Sequence, residues 1–157
     1  MSSKPGYYGV YMLKFTILFE DPDMPQPRYH HVIFVETEAD GSGIKFEVTG
    51  DITSGMTYES KPYHNPRHSN TQYTSHFLGY TPCGTVPDQW DALLSQLPPP
   101  AKQKAFNIKT MKTEPFKSAE PLTFYQPGEA RRPLRKCTEW TEEQALPALY
   151  ENRYIQA

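Results

Sequence analysis

Three runs of strand-forming residues crowd the N-terminal third of the chain, each closed by turn residues. Tyr7–Glu20 is dense in aromatic and β-branched side chains, which suit a pleated, half-buried surface. Asp21–Pro27 then carries Pro22, Pro25 and Pro27 and reads as a loop. Tyr29–Thr37 holds Val32, Ile33, Phe34 and Val35 in succession, the pattern of a central strand buried on both faces. After the hairpin-type connection Ala39–Gly43, Ile44–Thr49 alternates cleanly, with Ile44, Phe46 and Val48 facing inward. A sheet built from these runs is the framework that the remaining residues must cover.

Further along, Met56–Ser60 and Thr71–Tyr80 read as additional strands, with an irregular loop over Lys61–Asn70 between them. Helical spacing appears only later. Trp90, Leu93, Leu94 and Leu97 recur at i, i+3, i+4 and i+7 within Pro87–Leu97, and Pro98–Pro100 stops that helix. Residues 101–136 show no clear period and read as connection with some short elements. Thr138–Tyr150 repeats the helical pattern through Trp140, Ala145, Leu146 and Leu149, with Pro147 set to kink it. Strands first and helices after predict one α+β domain over residues 1–157, an antiparallel sheet with helices packed on one side. The 157 residues include 16 prolines, 11 tyrosines, 8 phenylalanines and 2 tryptophans, so the chain is loop-rich yet has ample bulky apolar surface for a core.

Chemistry concentrates at Arg135-Lys136-Cys137-Thr138-Glu139-Trp140. Cys137 falls where the last helix begins. Unbonded backbone N–H groups and the positive end of the helix dipole favour a thiolate there. Arg135 and Lys136 add positive charge beside it. A cysteine nucleophile needs a base, and Tyr29-His30-His31-Val32 offers two imidazoles at the mouth of an apolar strand. Alternation places His31 with Ile33 and Val35, and His30 with Val32 and Phe34. Both faces are apolar, so parity does not choose between the two. Glu47, polar within an alternating strand, is a candidate to orient the base.

A histidine on one strand, a polar residue on the next, and a distant cysteine at a helix start resemble the circularly permuted papain-like fold. Its best-known branch is the lecithin:retinol acyltransferase type, and the segments resemble that branch. The segments that carry the likeness are His31-Val32-Ile33-Phe34-Val35-Glu36, Ile44-Lys45-Phe46-Glu47 and Lys136-Cys137-Thr138-Glu139-Trp140. Glu47 stands where that branch more often has histidine, and Lys136 replaces an asparagine. The resemblance implies a Cys137–His31–Glu47 triad and a thiol hydrolase or acyltransferase acting on a small amide, ester or thioester. It also implies that Trp140, Arg135 and His30 line the substrate. Val48–Glu59, together with Cys137–Trp140, is also similar to a set of small fungal proteins of unknown activity.

Other candidates carry less. His64 and His68 are four apart, but Pro66 between them argues against a helix that would aim both at zinc, so no metal is expected. Cys83 lies in a turn and reads as structural. Arg131–Lys136 is a short basic run that could favour an anionic substrate. A net charge of -2 speaks against nucleic-acid binding. The N-terminus shows no signal peptide, and no run approaches the roughly 18 apolar residues of a membrane helix. The expectation is a cytoplasmic protein with no cofactor and no membrane association, whose partner is a small-molecule or peptide substrate; the alternative is a non-catalytic protein-interaction or small-ligand-binding domain on the same scaffold.

Overall fold

A computed structural model describes residues 4–18 and 21–157. Its larger sheet has five antiparallel strands in the order β4-β3-β2-β1-β5. These are β1 (Tyr7–Thr16), β2 (Tyr29–Glu36), β3 (Gly43–Thr49), β4 (Thr57–Tyr63) and β5 (Tyr73–Pro82). The first strand was expected to reach Glu20. It ends at Thr16, and Phe19 and Glu20 lie outside the described residues. β2 is central, paired with β1 on one side and β3 on the other, which explains its unbroken apolar run.

The two faces of this sheet are covered differently. Val10, Ile33, Val35, Phe46 and Val48 form a core with Trp90 and Leu94 of α1 (Asp88–Leu94) and with Cys137, Trp140, Ala145 and Leu149 of the C-terminal helical segment. That segment runs through α2 (Cys137–Trp140), a single π turn (Thr141–Ala145) and α3 (Leu146–Glu151). Pro147 was expected to kink the helix. The wider π turn precedes it, a common way to absorb a residue that cannot donate to the ladder. Trp90 Nε1 donates to Thr81 Oγ1 at 3.0 Å, and Tyr58 on β4 donates to Asp91 of α1 at 2.7 Å, fastening α1 to the sheet. The opposite face carries Leu13, Phe15, Val32 and Phe34, with Tyr11, Tyr63 and Tyr73 packed on them.

The sheet edges are closed in distinct ways. The C-terminal tail pairs with β5 through reciprocal Tyr80 and Gln156 backbone bonds of 2.6 and 2.8 Å. Gly79 permits this approach: its φ is +144°, and a Cβ there would stand 2.2 Å from Gln156 O. Pro62 sits on edge strand β4, where a missing N–H is tolerated.

A second, three-stranded sheet, β6 (Lys104–Asn107), β7 (Lys112–Ala119) and β8 (Leu122–Phe124), occupies part of the stretch read as connection. Pro115 and Pro121 and the many lysines and threonines hide its strands from a search for periodicity. It is fastened by a charged cluster. Lys104 Nζ meets Asp21 Oδ1 at 3.0 Å and Asp23 Oδ2 at 2.7 Å, while Lys136 Nζ meets Asp21 Oδ2 at 2.9 Å. Asp21 therefore joins the loop before β2, the small sheet and the residue preceding Cys137.

Burial alone would raise the Asp21 pKa, but the Asp23 backbone N–H and the two lysines outweigh it and bring it down to about 2. A carboxyl depressed in the folded state stabilises the fold above its unfolded pKa, and that contribution disappears as pH falls through about 2. Asp21→Asn should therefore lower neutral-pH stability by about 2 kcal/mol and flatten the acid limb of the stability curve, as urea unfolding from pH 7 to pH 2 would measure.

Candidate functional site

The β2–β3 ladder stops at Ile33↔Phe46, although β2 extends back to Tyr29 and β3 on to Thr49. The start of α2, which packs on both strands, lies where the ladder ends. There the Cys137 sulfur meets Tyr29 O at 3.8 Å, and the His31 backbone N–H helps to lower its pKa. The sulfur thus sits against strand backbone, with a side chain from either face of β2 able to turn toward it.

The side chain that does so is His30. It interacts electrostatically with Cys137, and its Nε2 lies 2.6 Å from Glu47 Oε1, so Nδ1 is the ring nitrogen not bound to the carboxylate. Glu47 is only 2 % exposed, and its second oxygen meets Lys45 Nζ at 2.9 Å. Cys137 is 6 % exposed, whereas the His30 side chain is a third exposed and forms the open side of the group.

The charges are mutually supporting. Burial pushes the Cys137 thiol up, but the bond to His30, its positive charge, the His31 N–H and Arg28 together bring it below the ordinary thiol value. Burial pushes His30 down, but Cys137 and Glu47 raise it to about 9. Burial likewise raises Glu47, and His30 and Lys45 more than compensate, so it stays ionised. The group is an imidazolium–carboxylate pair beside a thiol shifted toward its thiolate form, an arrangement able to attack a carbonyl and pass a proton.

The site differs from the expected one at the base. Both ring nitrogens of His31 have other partners. Its Nδ1 lies 3.1 Å from both Tyr29 O and Thr138 Oγ1, and its Nε2 lies 3.2 Å from Glu142 Oε1. Burial holds its pKa below the ordinary histidine value, with Tyr29 O and Glu142 opposing and Lys14 reinforcing that shift. His31 thus sits on the helix-covered face and ties α2 to β2, while His30 shares the face of Glu47. Trp140, expected to line substrate, is fully buried in the core beside Tyr58, with ring centroids 5.7 Å apart. Arg135 is exposed and reaches Glu143 at 2.9 Å.

The neighbouring basic run is committed to the fold. Arg131 meets Asp23, Lys136 meets Asp21, and Arg132 donates to the carbonyls of Phe116 and Lys117. The expected pull on an anionic substrate therefore loses its support. His64 and His68 rings stand 6.3 Å apart in a loop with a 3₁₀ turn, and among the described residues no three His, Cys, Asp or Glu side chains form a metal-holding group.

Several site residues had gone unread in the sequence. Arg28 makes a bidentate pair with Glu139, at 2.9 and 3.1 Å, and Glu139 Oε1 also accepts the Lys136 backbone N–H at 2.7 Å. A glutamate three residues after the position before a helix is a start signal, and it marks Cys137 as the first helical residue. Thr138 Oγ1 lies 3.4 Å from Tyr29 O. On the face that carries His30, a cavity of about 390 Å³ is lined by Tyr11, Leu13, Phe34, Tyr73, Asn65 and Arg67. Phe34 lies four residues along β2 from His30, about 13 Å at strand spacing.

Comparison with curated proteins and with solved structures gives no match. No helix among the described residues is long and apolar enough to cross a membrane. Residues 10–156 match the profile of a family of unknown function, DUF6540, and that span covers nearly the whole chain. The chain that carries this Cys137–His30–Glu47 group belongs to the DUF6540 family.

Proposed function

We propose that the protein is a cysteine-dependent hydrolase or acyltransferase in which Cys137 is the nucleophile, His30 the acid–base and Glu47 its orienting partner. The observation that carries this reading is the buried Glu47 carboxylate 2.6 Å from His30 Nε2, on an imidazole whose charge is coupled to the Cys137 thiol. The strand order and the cysteine at a helix start support a circularly permuted papain-like relationship, with His30 in the position that the resemblance gave to His31. Two free thiols, Cys83 and Cys137, suit a reducing compartment such as the cytoplasm.

The steps follow from the geometry. The Cys137 thiolate attacks the carbonyl carbon of a small amide, ester or thioester. The developing oxyanion takes the Cys137 backbone N–H, one of the first helical N–H groups, which have no partner within the helix. His30 gives its Nδ1 proton to the leaving group, and the acyl group remains on sulfur as a thioester. His30 then takes a proton from water or another acceptor, which attacks the thioester and restores the thiolate. Glu47 balances the imidazolium throughout.

A second reading, a small-ligand binding domain on the same scaffold, is favoured by the cavity of about 390 Å³ on the aromatic face. Thiol chemistry separates the two. With an activated acyl ester, intact mass should show acyl transfer to Cys137, abolished in Cys137→Ala. His30→Ala should slow acylation about 10²–10⁴-fold, and His31→Ala should leave it much faster than His30→Ala does. Equal acylation of wild type and His30→Ala would favour the binding domain.

The pH profile gives an independent check. Iodoacetamide labelling of Cys137 should stay fast below the ordinary thiol range and fall only as the thiolate takes up a proton. Turnover should fall again above about 9, where His30 loses the proton that the leaving group needs. A thiol that reacts only in the ordinary range, identically in His30→Ala, would contradict the mechanism.

A further inference from the structure

The β6–β7 hairpin turns the usual surface arrangement inside out. A solvent-facing turn ordinarily shows its polar side chains. Here Asn107 is 8 % exposed, while Phe106, Ile108 and Met111 are 50, 77 and 71 % exposed. The polar groups are spent on one another. Asn107 Oδ1 accepts the Lys109 N–H at 3.0 Å, and Asn107 Nδ2 donates to Glu114 Oε1 at 3.1 Å. Thr110 Oγ1 donates to Glu114 Oε2 at 2.7 Å, and the Met111 N–H donates to Asn107 O at 2.7 Å. Met111 is held at φ +59°, a left-handed conformation that costs a bulky residue more than Gly or Asn. The bonded loop thus fixes three apolar side chains outward, with the exposed Lys109 and Lys112 between and beside them.

We propose that this hairpin tip is a peripheral docking site for an anionic lipid bilayer. The apolar trio suits the boundary between headgroups and acyl chains, and the two lysines suit the negative surface around it. Charge complementarity favours a lipid surface that is anionic over a neutral one. The sequence shows no sign of membrane association, because the signal is neither long nor periodic: it arises when the hairpin buries Asn107 and leaves Phe106, Ile108 and Met111 exposed. The base of the hairpin is anchored close to the candidate active site. Gln103 Nε2 donates to Arg135 O at 2.7 Å, and the Arg135 N–H donates to Gln103 Oε1 at 2.8 Å, two residues before Cys137. Docking at the tip would bring that site to the membrane surface, but the docking itself does not rest on catalysis.

The test is vesicle flotation of the full chain with phosphatidylcholine vesicles, with and without phosphatidylserine. The chain should float with the phosphatidylserine vesicles, and less so as salt shortens the Debye length from about 10 Å at 0.1 M to about 3 Å at 1 M. Ile108→Ser/Met111→Ser, which keeps the charge, and Lys109→Glu/Lys112→Glu, which keeps the apolar side chains, should each weaken binding by about tenfold or more. All four positions are exposed, and far-UV circular dichroism would verify that both variants fold. Absence of flotation, flotation unchanged in both variants, or capture of a protein partner by the tip without vesicle binding would overturn the proposal.

Discussion

Everything at the site depends on a carboxylate buried inside the sheet. An ionised Glu47 at 2 % exposure would be costly alone, because low-dielectric surroundings penalise an unpaired charge. It is tolerated because His30 Nε2 stands 2.6 Å from one oxygen and Lys45 Nζ 2.9 Å from the other. This carboxylate in turn sets the imidazole: Nε2 is committed to Glu47, and Nδ1 is the nitrogen not bound to the carboxylate. Cys137, His30, Glu47 and Lys45 thus form one electrostatic unit.

That unit exists because the sheet opens where it does. Were β2 and β3 paired to their ends, the backbone at Tyr29 and His31 would have less room for a cysteine at the head of α2. Because the ladder stops at Ile33↔Phe46, the sulfur approaches strand backbone. Its position is secured by ion pairs that cross from the loop before β2. Arg28 grips Glu139, and Asp21 grips Lys136, on either side of Cys137. His31, with Thr138 and Glu142, holds the other face of the same junction. The adjacent histidines therefore divide two tasks, one bonding Glu47 and one fixing the helix.

The strands of the larger sheet were legible because burial on one or both faces imprints alternation or continuous apolarity on them. The three-stranded sheet was not, since its short, lysine- and threonine-rich strands owe their place to the Asp21–Lys104 cluster and to the backbone bonds that Gln103 and Lys104 donate to Ile52 O. Cys137 and Glu47 stand out in the sequence by position and pattern, but nothing there chooses between the two histidines. Parity distinguishes two faces only when one is apolar, and the core clusters lie on both sides of β2. Resemblance selected His31, whose ring nitrogens lie against Tyr29 O, Thr138 and Glu142, while His30 is the histidine that bonds Glu47. Trp140 shows the converse: its spacing from Leu149 and Ala145 already marked it as core, and its place three residues after the cysteine made it look like substrate lining.

The most direct test of the charged site is a ¹H–¹⁵N NMR titration of the imidazoles. A thiolate–imidazolium pair requires His30 to stay protonated up to about pH 9 in the wild type and to move back toward the ordinary histidine value in Cys137→Ala. It requires the His31 resonance to titrate below the ordinary value. If His30 titrates near 6.5, the ordinary histidine value, and ignores the loss of Cys137, the pair does not exist and the proposed nucleophile has no activating base.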